Sequence, residues 1–348
     1  MSARDAADQL LAIMAPLGRW LSDPATEDVC INQPGEVWVR QRGRFTPHET
    51  PLDYDDCYDI AVLAGALNQQ NVGDRHPLLV ADLPRGERLQ VVLPPCVPQG
   101  TVSLTLRIHG KHVAPLDAVS HRYDTRRWNQ WRKRKEARKA DCAVLLRLYD
   151  DGDIVGFFRE AVRLRMNILL CGATGSGKTT TLKTILRVIE PNERIITIEN
   201  ALELSIINQP NHVRLLYSHG DQGVASVTQK QLLEAYLRMR PDRGCVGELR
   251  DPEAAFTYVS ELMTGHPGSP STIHGKDASQ AVTRLFDLVK GSEAGRNYSD
   301  QVVISQLGMV VDVVVPFRER EGSFEIGETW FAADAERRGE TIAELTEG

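Results

Sequence analysis

The sequence contains no run of about 18 apolar residues, so we expect no membrane-spanning helix. Its most apolar late stretch, residues 302–317, is interrupted by serine, glutamine, glycine and aspartate. The first residues have no basic start followed by an apolar core, and no secretory signal is expected. The six cysteines form no C-x-x-C pair and no Cys/His cluster with zinc spacing. This pattern disfavours a disulfide framework and suits free thiols in a reducing cytosol, with Cys171 and Cys245 as small core residues.

The composition is that of a folded globular chain. Of 348 residues, 42% are apolar and 25% are charged, which is too apolar for an intrinsically disordered protein. At roughly 100–200 residues per domain, this length predicts two domains. The net charge of −6 disfavours a protein that coats nucleic acid, so we do not expect nucleic acid as a direct ligand.

One segment, residues 121–140, opposes the acidic total. It holds nine Lys/Arg and two acidic residues, a net charge of +7 (nine minus two), together with Trp128 and Trp131. We interpret residues 121–142 as a basic linker or insertion between two domains. The charge and the tryptophans fit an anionic membrane surface or a partner protein. Contact with single-stranded DNA and a solvated charged segment without a partner are the alternatives.

The apolar pattern differs on the two sides of this segment. Residues 1–120 predict a small α+β domain, with helices over 6–21 and 54–71 and strands over 28–32, 36–40, 87–93 and 102–107. Residues 143–348 alternate between helices and strands. The helices are predicted over 154–163, 177–189, 229–239 and 252–263, and the strands over 167–171, 194–198, around 245 and over 272–273. Such alternation predicts a mostly parallel, doubly wound α/β sheet.

The strand at 167–171 leads into a glycine-rich turn that fits the G-x-x-x-x-G-K-[ST] phosphate-binding pattern. Glycines allow backbone N–H groups to surround phosphate oxygens, and the following helix directs its positive end at the same charge. Lys178 is expected to reach the β- and γ-phosphates, and Thr179 is expected to hold Mg²⁺. The predicted phosphate-binding residues are Gly172, Ala173, Thr174, Gly175, Ser176, Gly177, Lys178, Thr179 and Thr180.

Acidic residues that could activate a water molecule follow the neighbouring strands. Glu199 ends the next predicted strand, Glu203 comes four residues later, and Glu248 ends a short apolar segment. Functional groups gather at the carboxyl ends of strands in open α/β sheets, so we expect these three catalytic carboxylates near the phosphates. His274 is a fourth catalytic candidate, because a neutral imidazole can orient a γ-phosphate. A structural histidine bonded to the backbone is an equal alternative.

Four sequence blocks carry a specific resemblance. They are the phosphate-binding loop at 172–180, an acidic box at 195–204, a Walker-B-like block at 240–250 and a histidine box at 264–274. The segments 31–38, 86–95 and 101–107 match as well. The chain resembles the traffic ATPases of bacterial type IV secretion and conjugation systems, a branch of the secretion-ATPase superfamily, over most of residues 1–320.

The resemblance implies an α/β fold with a RecA-like P-loop C-terminal domain (143–348) and a smaller α+β N-terminal domain (1–120), forming a ring-shaped homohexamer. It implies ATP hydrolysis with Mg²⁺, coupled to domain motion. The implied location is the cytoplasm, at the periphery of the inner membrane, with other secretion-system proteins as partners. Such a motor powers assembly of, or substrate transfer through, the secretion system.

The resemblance also assigns residues. Arg107 matches the N-terminal-domain arginine that contacts the nucleotide phosphates in such proteins. Arg240 and Arg250 are candidates for a γ-phosphate or inter-subunit contact. Glu248 takes the place of the more usual Walker-B aspartate in organising Mg²⁺ and water, so the implied metal-binding residues are Thr179 and Glu248.

One position departs from the family pattern. The acidic box usually reads Ile-Glu-Asp, and Asn200 occupies the third position here. An amide can orient a water molecule but cannot accept its proton, so we expect slow ATP hydrolysis with Glu199 or Glu203 as the activating carboxylate. Two alternatives stay open. One is a pilus or type II secretion motor, which a Cys₄ zinc insertion would favour, and the other is a nucleotide-gated hexameric scaffold that barely hydrolyses ATP.

Overall fold

The structure is a computed structural model that describes residues 3–108, 116, 142–218 and 223–347. Its strands form two sheets, one within residues 26–107 and one within residues 168–331. The basic segment 121–140, which we interpreted as a linker or a membrane-facing surface, lies outside the described residues. Among the described helices, none combines the length and the apolar character needed to cross a bilayer.

The first sheet is entirely antiparallel, in the order β3-β2-β1-β6-β5-β4. Its strands are β1 Thr26–Ile31, β2 Glu36–Gln41, β3 Arg44–Glu49, β4 Leu78–Asp82, β5 Arg88–Val92 and β6 Ser103–Arg107. Among the described residues, three helices accompany it, namely α1 Ala3–Ile13, α2 Gly18–Leu21 and α3 Tyr54–Leu67. Leu10 of α1 and Ile60 of α3 are buried in one apolar core with Val29 and Leu104 of the sheet. This half is the α+β unit that the sequence predicts.

Two predicted helices of this half are corrected by the structure. The helix predicted over 6–21 ends at Ile13, a 3₁₀ turn covers Ala15–Leu17, and α2 begins at Gly18. Pro16 has no N–H with which to continue the hydrogen-bond ladder of α1. The helix predicted over 54–71 ends at Leu67, and Gln69 adopts a φ of +55°, which a helix cannot contain.

The second sheet has the order β13-β12-β7-β11-β10-β8-β9, with β14 paired to β12. Strands β12, β7, β11, β10, β8 and β9 are parallel neighbours, while β13 and β14 run antiparallel to β12. The strands are β7 Ile168–Gly172, β8 Ile195–Glu199, β9 His212–Leu216, β10 Arg243–Val246, β11 Ser271–Ile273, β12 Val313–Arg320, β13 Ser323–Ile326 and β14 Trp330–Phe331. The predicted mostly parallel α/β sheet is therefore confirmed.

Helices cover both faces of the second sheet. They are α4 142–150, α5 Ile154–Arg163, α6 Lys178–Val188, α7 Gln229–Arg238, α8 Pro252–Thr264, α9 Ala278–Gly291, α10 Asp300–Val310, α11 Ala332–Arg338 and α12 Glu344–Glu347. Leu169 and Cys171 of β7 face the core shared with α8 and α9, whereas Ile168 and Leu170 face the core shared with α5 and α6. This alternation has the period of two expected of a strand covered on both sides. Cys171 and Cys245 are buried core residues, as predicted.

The two sheets meet along a seam beside β9. Cys96, which follows β5, is buried in the same apolar core as β8 and β9, and its carbonyl accepts a 2.8 Å hydrogen bond from the Leu216 N–H. Arg194 is fully buried at the other end of the seam. Its guanidinium donates to the side-chain oxygens of Asn32, at 2.7 Å, and of Asn211. Polar and apolar contacts therefore join the halves at both ends of the seam.

Candidate nucleotide site

Four neighbouring parallel strands, β7, β11, β10 and β8, have their carboxyl ends side by side. We call this side of the second sheet, which is formed by strand ends and not by an outermost strand, its carboxyl edge. A pocket of about 170 Å³ opens at this edge. Its walls are formed by Thr174, Gly175, Lys178, Thr179, Glu199, Asn200, Ala201, Glu203, Leu204, Gly247, Glu248, Arg250, Thr272 and His274. The phosphate-binding loop, the acidic box, the Walker-B-like block and the histidine box therefore meet in one place.

The loop between β7 and α6 depends on glycine at three positions. At Gly172, a Cβ would lie 2.4 Å from the backbone oxygen of Phe317, so no side chain fits. Gly175 and Gly177 have φ of +82° and +95°, and Gly177 immediately precedes α6. Residues with a Cβ rarely adopt these angles. The loop can therefore turn its N–H groups and the start of α6 toward one point, which is the geometry that binds phosphate.

The lysine at the start of α6 is almost fully buried. Lys178 is 7% exposed, and its Nζ donates hydrogen bonds to the carbonyl oxygens of Gly172 and Ala173 at 2.8 and 2.6 Å. Burial lowers the pKa of Lys178, and the nearby Glu248 carboxylate opposes this shift. Ser176 Oγ is buried and has no hydrogen-bond partner among the described residues. An ammonium group and a free hydroxyl, both able to bind phosphate oxygens, thus lie together at a helix N-terminus.

Glu248 lies between a histidine and an arginine. His274 Nε2 is 2.7 Å from Glu248 Oε1, and the Arg250 guanidinium donates a hydrogen bond to Oε2. This hydrogen bond raises the pKa of Arg250. The Glu248 backbone carbonyl accepts a 2.8 Å hydrogen bond from Gln229 Nε2, which fixes the segment after β10. Oε1 is buried against His274 Nε2 without a hydrogen bond of good geometry from the described residues, and Oε2 is held by Arg250, so neighbouring side chains cover both oxygens of this carboxylate.

Glu199 is buried at the end of β8, and its carboxylate is fully engaged. Oε1 accepts a hydrogen bond from Thr197 Oγ1 at 2.6 Å, and Oε2 accepts from the backbone N–H groups of Glu203 and Leu204 at 3.0 and 2.7 Å. The Arg214 guanidinium lies 3.3 Å from Oε1 and neutralises the buried charge. Glu199 therefore supports the turn over residues 200–204.

The turn that Glu199 supports carries two exposed pocket residues. Asn200 and Glu203 both line the pocket and are exposed to solvent. The backbone N–H of Glu203 is fixed by Glu199, so the position of the residue is defined while its side chain is solvent-accessible. Of the two glutamates in the acidic box, Glu203 is therefore the one whose carboxylate is available to a water molecule.

The arginines assigned from the resemblance divide into two groups. Arg250 lines the pocket, whereas Arg107 and Arg240 do not contribute to its walls within the described residues. Arg107 lies opposite Asp28 in the first sheet, and Arg240 Nε is 4.0 Å from Asp28 Oδ2. Burial raises the pKa of Asp28, and Arg107, Arg240 and Arg40 oppose the shift. Within this chain, Arg107 and Arg240 therefore gather around a buried carboxylate at the seam.

The remaining predicted phosphate-binding residues lie around the loop. Gly172 and Ala173 line a more open cavity of about 770 Å³ next to the start of α9, which His274 shares. Ser176, Gly177 and Thr180 lie in the loop and in the first turn of α6.

Sequence reasoning missed several supporting residues. Thr272 lines the pocket, and its hydroxyl donates to the Gly247 carbonyl at 2.7 Å. Arg214 contacts Glu199 from β9, a strand that the sequence did not predict. Gln229 opens α7 and reaches the backbone of the Walker-B-like block. Thr272 lies within the histidine box, which is the sequence signal that could have found it, whereas Arg214 and Gln229 lie in none of the four sequence blocks and reach the site only through the fold.

This chain is similar to known proteins over nearly its whole length. The type II/IV secretion system protein family matches residues 150–316. Protein VirB11 of Rhizobium radiobacter is 52% identical over 337 residues, which cover 97% of this chain and 98% of that protein. Type IV secretion system protein VirB11 of Bartonella quintana is 36% identical and is covered to 92%, as is this chain. A crystal structure of the VirB11 ATPase from the Brucella suis type IV secretion system, in complex with sulphate, aligns with a TM-score of 0.87 at 31% identity and covers 98% of this chain and 99% of that one. The chain therefore belongs to the type II/IV secretion system protein family, as a type IV secretion ATPase of the VirB11 type.

Proposed function

We propose that the pocket at the edge of the second sheet binds ATP with Mg²⁺ and hydrolyses it to drive domain motion in a homohexamer. The observation that carries this proposal is the meeting of a phosphate-binding loop with Glu203, Glu248 and His274 in one pocket. A phosphate-binding loop alone supports only binding, whereas a carboxylate beside it can also activate water.

The loop residues would bind the phosphates. N–H groups of the loop and of the first turn of α6 surround the β-phosphate, and Thr180 contributes at the α-phosphate end. Lys178 exchanges its carbonyl partners, Gly172 and Ala173, for oxygens of the β- and γ-phosphates. The exchange restores full charge pairing to a buried ammonium, which two neutral carbonyls only partly stabilise.

Thr179 and Glu248 would hold Mg²⁺. Both line the pocket, and hydroxyl and carboxylate oxygens are ligands that Mg²⁺ prefers. Glu248 Oε1 accepts no hydrogen bond of good geometry from the described residues, and it can bind the cation once His274, 2.7 Å away, turns aside. Bound Mg²⁺ neutralises charge on the phosphate oxygens. Arg250 holds the other Glu248 oxygen, so the carboxylate keeps one orientation.

Glu203 would activate the attacking water. Its carboxylate accepts a proton as the water oxygen bonds to the γ-phosphorus and the bond to the β–γ bridging oxygen breaks, which gives ADP and inorganic phosphate. Asn200 orients the same water through its amide, and His274 orients the γ-phosphate from the side of Glu248. Because Asn200 adds no negative charge, we expect slower turnover than an aspartate at that position would give.

The assembled protein would work at the cytoplasmic face of the inner membrane with other secretion-system proteins. Arg107 and Arg240 lie at the seam between the two sheets, so their contacts would change if one domain moved relative to the other. In a ring, such seam arginines can face the pocket of a neighbouring copy. The basic segment 121–140 supplies the charge for an anionic membrane surface, at about 1 kcal/mol per Lys/Arg near the surface.

Phosphate release by the purified full-length protein tests this function. We expect slow ATP-dependent release by wild type and none by Lys178→Ala, with both proteins sedimenting as hexamers. Asn200 favours a second function, a scaffold that binds ATP without hydrolysing it. Nucleotide binding without phosphate release would establish the scaffold, and absence of both would refute the pocket as a nucleotide site.

A further inference from the structure

The β12–β13 hairpin stands beside the phosphate-binding loop. β12 pairs in parallel with β7, and Phe317 lies opposite Gly172, the last residue of β7. β12 continues for three residues beyond this point, to Arg320, and the chain returns antiparallel as β13. The hairpin therefore extends past the edge of the sheet at which the loop lies.

Phe324 is the residue of this hairpin that approaches the loop. Its side chain is 66% exposed, and its Cδ1 would lie 3.7 Å from a Cβ at Gly177. An aromatic ring with most of its surface in water, in contact distance of a phosphate-binding loop, has a free face on which another ring can stack.

The face of the hairpin that carries Phe324 is the face on which α6 begins. Phe324 is paired with Glu319, two residues along β12 from Phe317, so Phe324 and Phe317 lie on the same side of the hairpin. Phe317 is buried in the core that also contains Leu182 of α6. Phe324 therefore projects on the side of the helix N-terminus, where the phosphates bind.

The sheet order fixes the direction in which a bound nucleotide runs. β7 has β11 on one side and β12 on the other. Glu203, Glu248 and His274 follow β8, β10 and β11, all on the β11 side, so the γ-phosphate points that way. The nucleoside is attached at the α-phosphate, the end of the unbranched phosphate chain away from the γ-phosphate, so it leaves the loop on the other side, toward β12 and β13. With strands about 4.8 Å apart, β13 stands about 10 Å from β7, within reach of a base attached through ribose.

We propose that Phe324 stacks on the purine base of the bound nucleotide and so contributes to nucleotide affinity from the side opposite the reacting phosphate. This inference rests on the proposed function, because the orientation of the triphosphate is taken from the catalytic residues. The interaction is with the π-face of the base, so it strengthens binding of ADP and GDP alike and adds nothing to the binding of pyrophosphate, which has no base.

Calorimetric titration of the full-length protein with ADP and with inorganic pyrophosphate, each with Mg²⁺, tests the proposal. Phe324→Ala is expected to raise the Kd for ADP about 5- to 100-fold, the range given by loss of one aromatic–base stack. The Kd for pyrophosphate is expected to stay unchanged. Phe324→Trp retains a stacking ring and is expected to keep the ADP affinity of wild type, whereas Phe324→Leu, similar in bulk, behaves like the alanine variant.

Met309→Ala is the matched control, because Met309 is also 66% exposed and lies on α10, away from the loop. It is expected to leave both Kd values unchanged. Unchanged ADP affinity in Phe324→Ala, equal weakening for ADP and pyrophosphate, or loss of the assembled ring at unchanged ADP affinity would each overturn the proposal. If wild type binds ADP but releases no phosphate, only the hydrolytic function fails; if it binds neither ADP nor pyrophosphate, both proposals fail.

Discussion

Glu199→Gln replaces a buried carboxylate with a neutral group of nearly the same shape. Glu199 accepts hydrogen bonds from Thr197 and from two backbone N–H groups, and Arg214 neutralises it. A glutamine side chain has one oxygen and one NH₂ group, so it can accept the hydrogen bonds of only one of the two carboxylate oxygens. If its oxygen accepts from the backbone of Glu203 and Leu204, its NH₂ group faces the Arg214 guanidinium and cannot pair with it.

The size of the effect follows from these contacts. Hydrogen bonds to a charged group each contribute about 1.5–3 kcal/mol, and the amide replaces part of this with neutral bonds. We therefore expect the free energy of unfolding to fall by roughly 2–4 kcal/mol. For a unit of about 200 residues this corresponds to a decrease in Tm of roughly 5–15 °C. The turn over residues 200–204 loosens at the same time, so kcat falls as well.

Glu203→Gln is the matched comparison on the same turn. Glu203 is exposed, so its substitution is expected to leave Tm unchanged while kcat falls by about 10²–10⁴, the loss typical of a general base. Thermal unfolding and steady-state phosphate release near neutral pH measure both quantities. An unchanged Tm in Glu199→Gln would refute its structural role, and rapid turnover by Glu203→Gln would refute the role of Glu203.

Buried groups away from the pocket allow three further measurements. Burial raises the pKa of Glu261 from 4.5 to about 7, so the folded state retains a proton that the unfolded state has lost, and stability falls as pH rises through this window. In urea unfolding, Glu261→Gln should therefore be about as stable as wild type at pH 4.5 and more stable than wild type at pH 8, by up to about 3 kcal/mol. A stability difference that does not depend on pH would contradict this. Glu193→Gln leaves Arg243, which is 3% exposed, without the carboxylate to which it donates at 2.8 and 2.9 Å. The free energy of unfolding should therefore fall by about 3–5 kcal/mol, and adding Arg243→Met should recover much of this loss. Burial raises the pKa of Cys171 to about 12, whereas Cys142 is partly exposed, so iodoacetamide should modify Cys142 first, as read by mass spectrometry, and early labelling at Cys171 would argue against the burial.

The sequence pattern predicts β7, β8, β10 and β11 of the second sheet, but it misses the central strand β12 and the strands β3 and β9 at sheet edges. β7 and β8 are buried along their whole length because helices cover both of their faces, so β7 is a continuous apolar run and β8 contains three isoleucines. β3 is an edge strand whose residues, including Arg44 and Pro47, are mostly exposed, so it has no apolar alternation to detect. β9, an edge strand of the second sheet, buries only Val213 and Leu215. An edge strand forms because the adjacent strand offers it backbone hydrogen bonds. The local sequence pattern of the edge strand does not show which strand lies beside it.

The same limit applies to the candidate site. The phosphate-binding loop is a local motif, and its residues are contiguous in the chain, so the sequence predicts it fully. The acidic box offers two glutamates four residues apart, and nothing local distinguishes Glu199 from Glu203. The distinction is made by Arg214, which reaches Glu199 only because β9 pairs with β8. Long-range pairing therefore decides which of the two pocket carboxylates is buried and which is exposed to solvent.

The roles of the two seam arginines, Arg107 and Arg240, also depend on contacts between residues that are distant in the sequence. Arg240 precedes β10, whereas Glu248 follows it, so the two lie at opposite edges of the sheet. At about 3.3 Å per residue along a strand, the separation exceeds the reach of an arginine side chain. Arg107 lies beside Asp28 near the same far edge. For Arg240 to touch a phosphate, the pocket must belong to a neighbouring copy of the chain. Mixing excess Lys178→Ala chains, which carry intact arginines, into Arg240→Ala assemblies should then restore part of the phosphate release, and no restoration would limit Arg240 to its contact with Asp28.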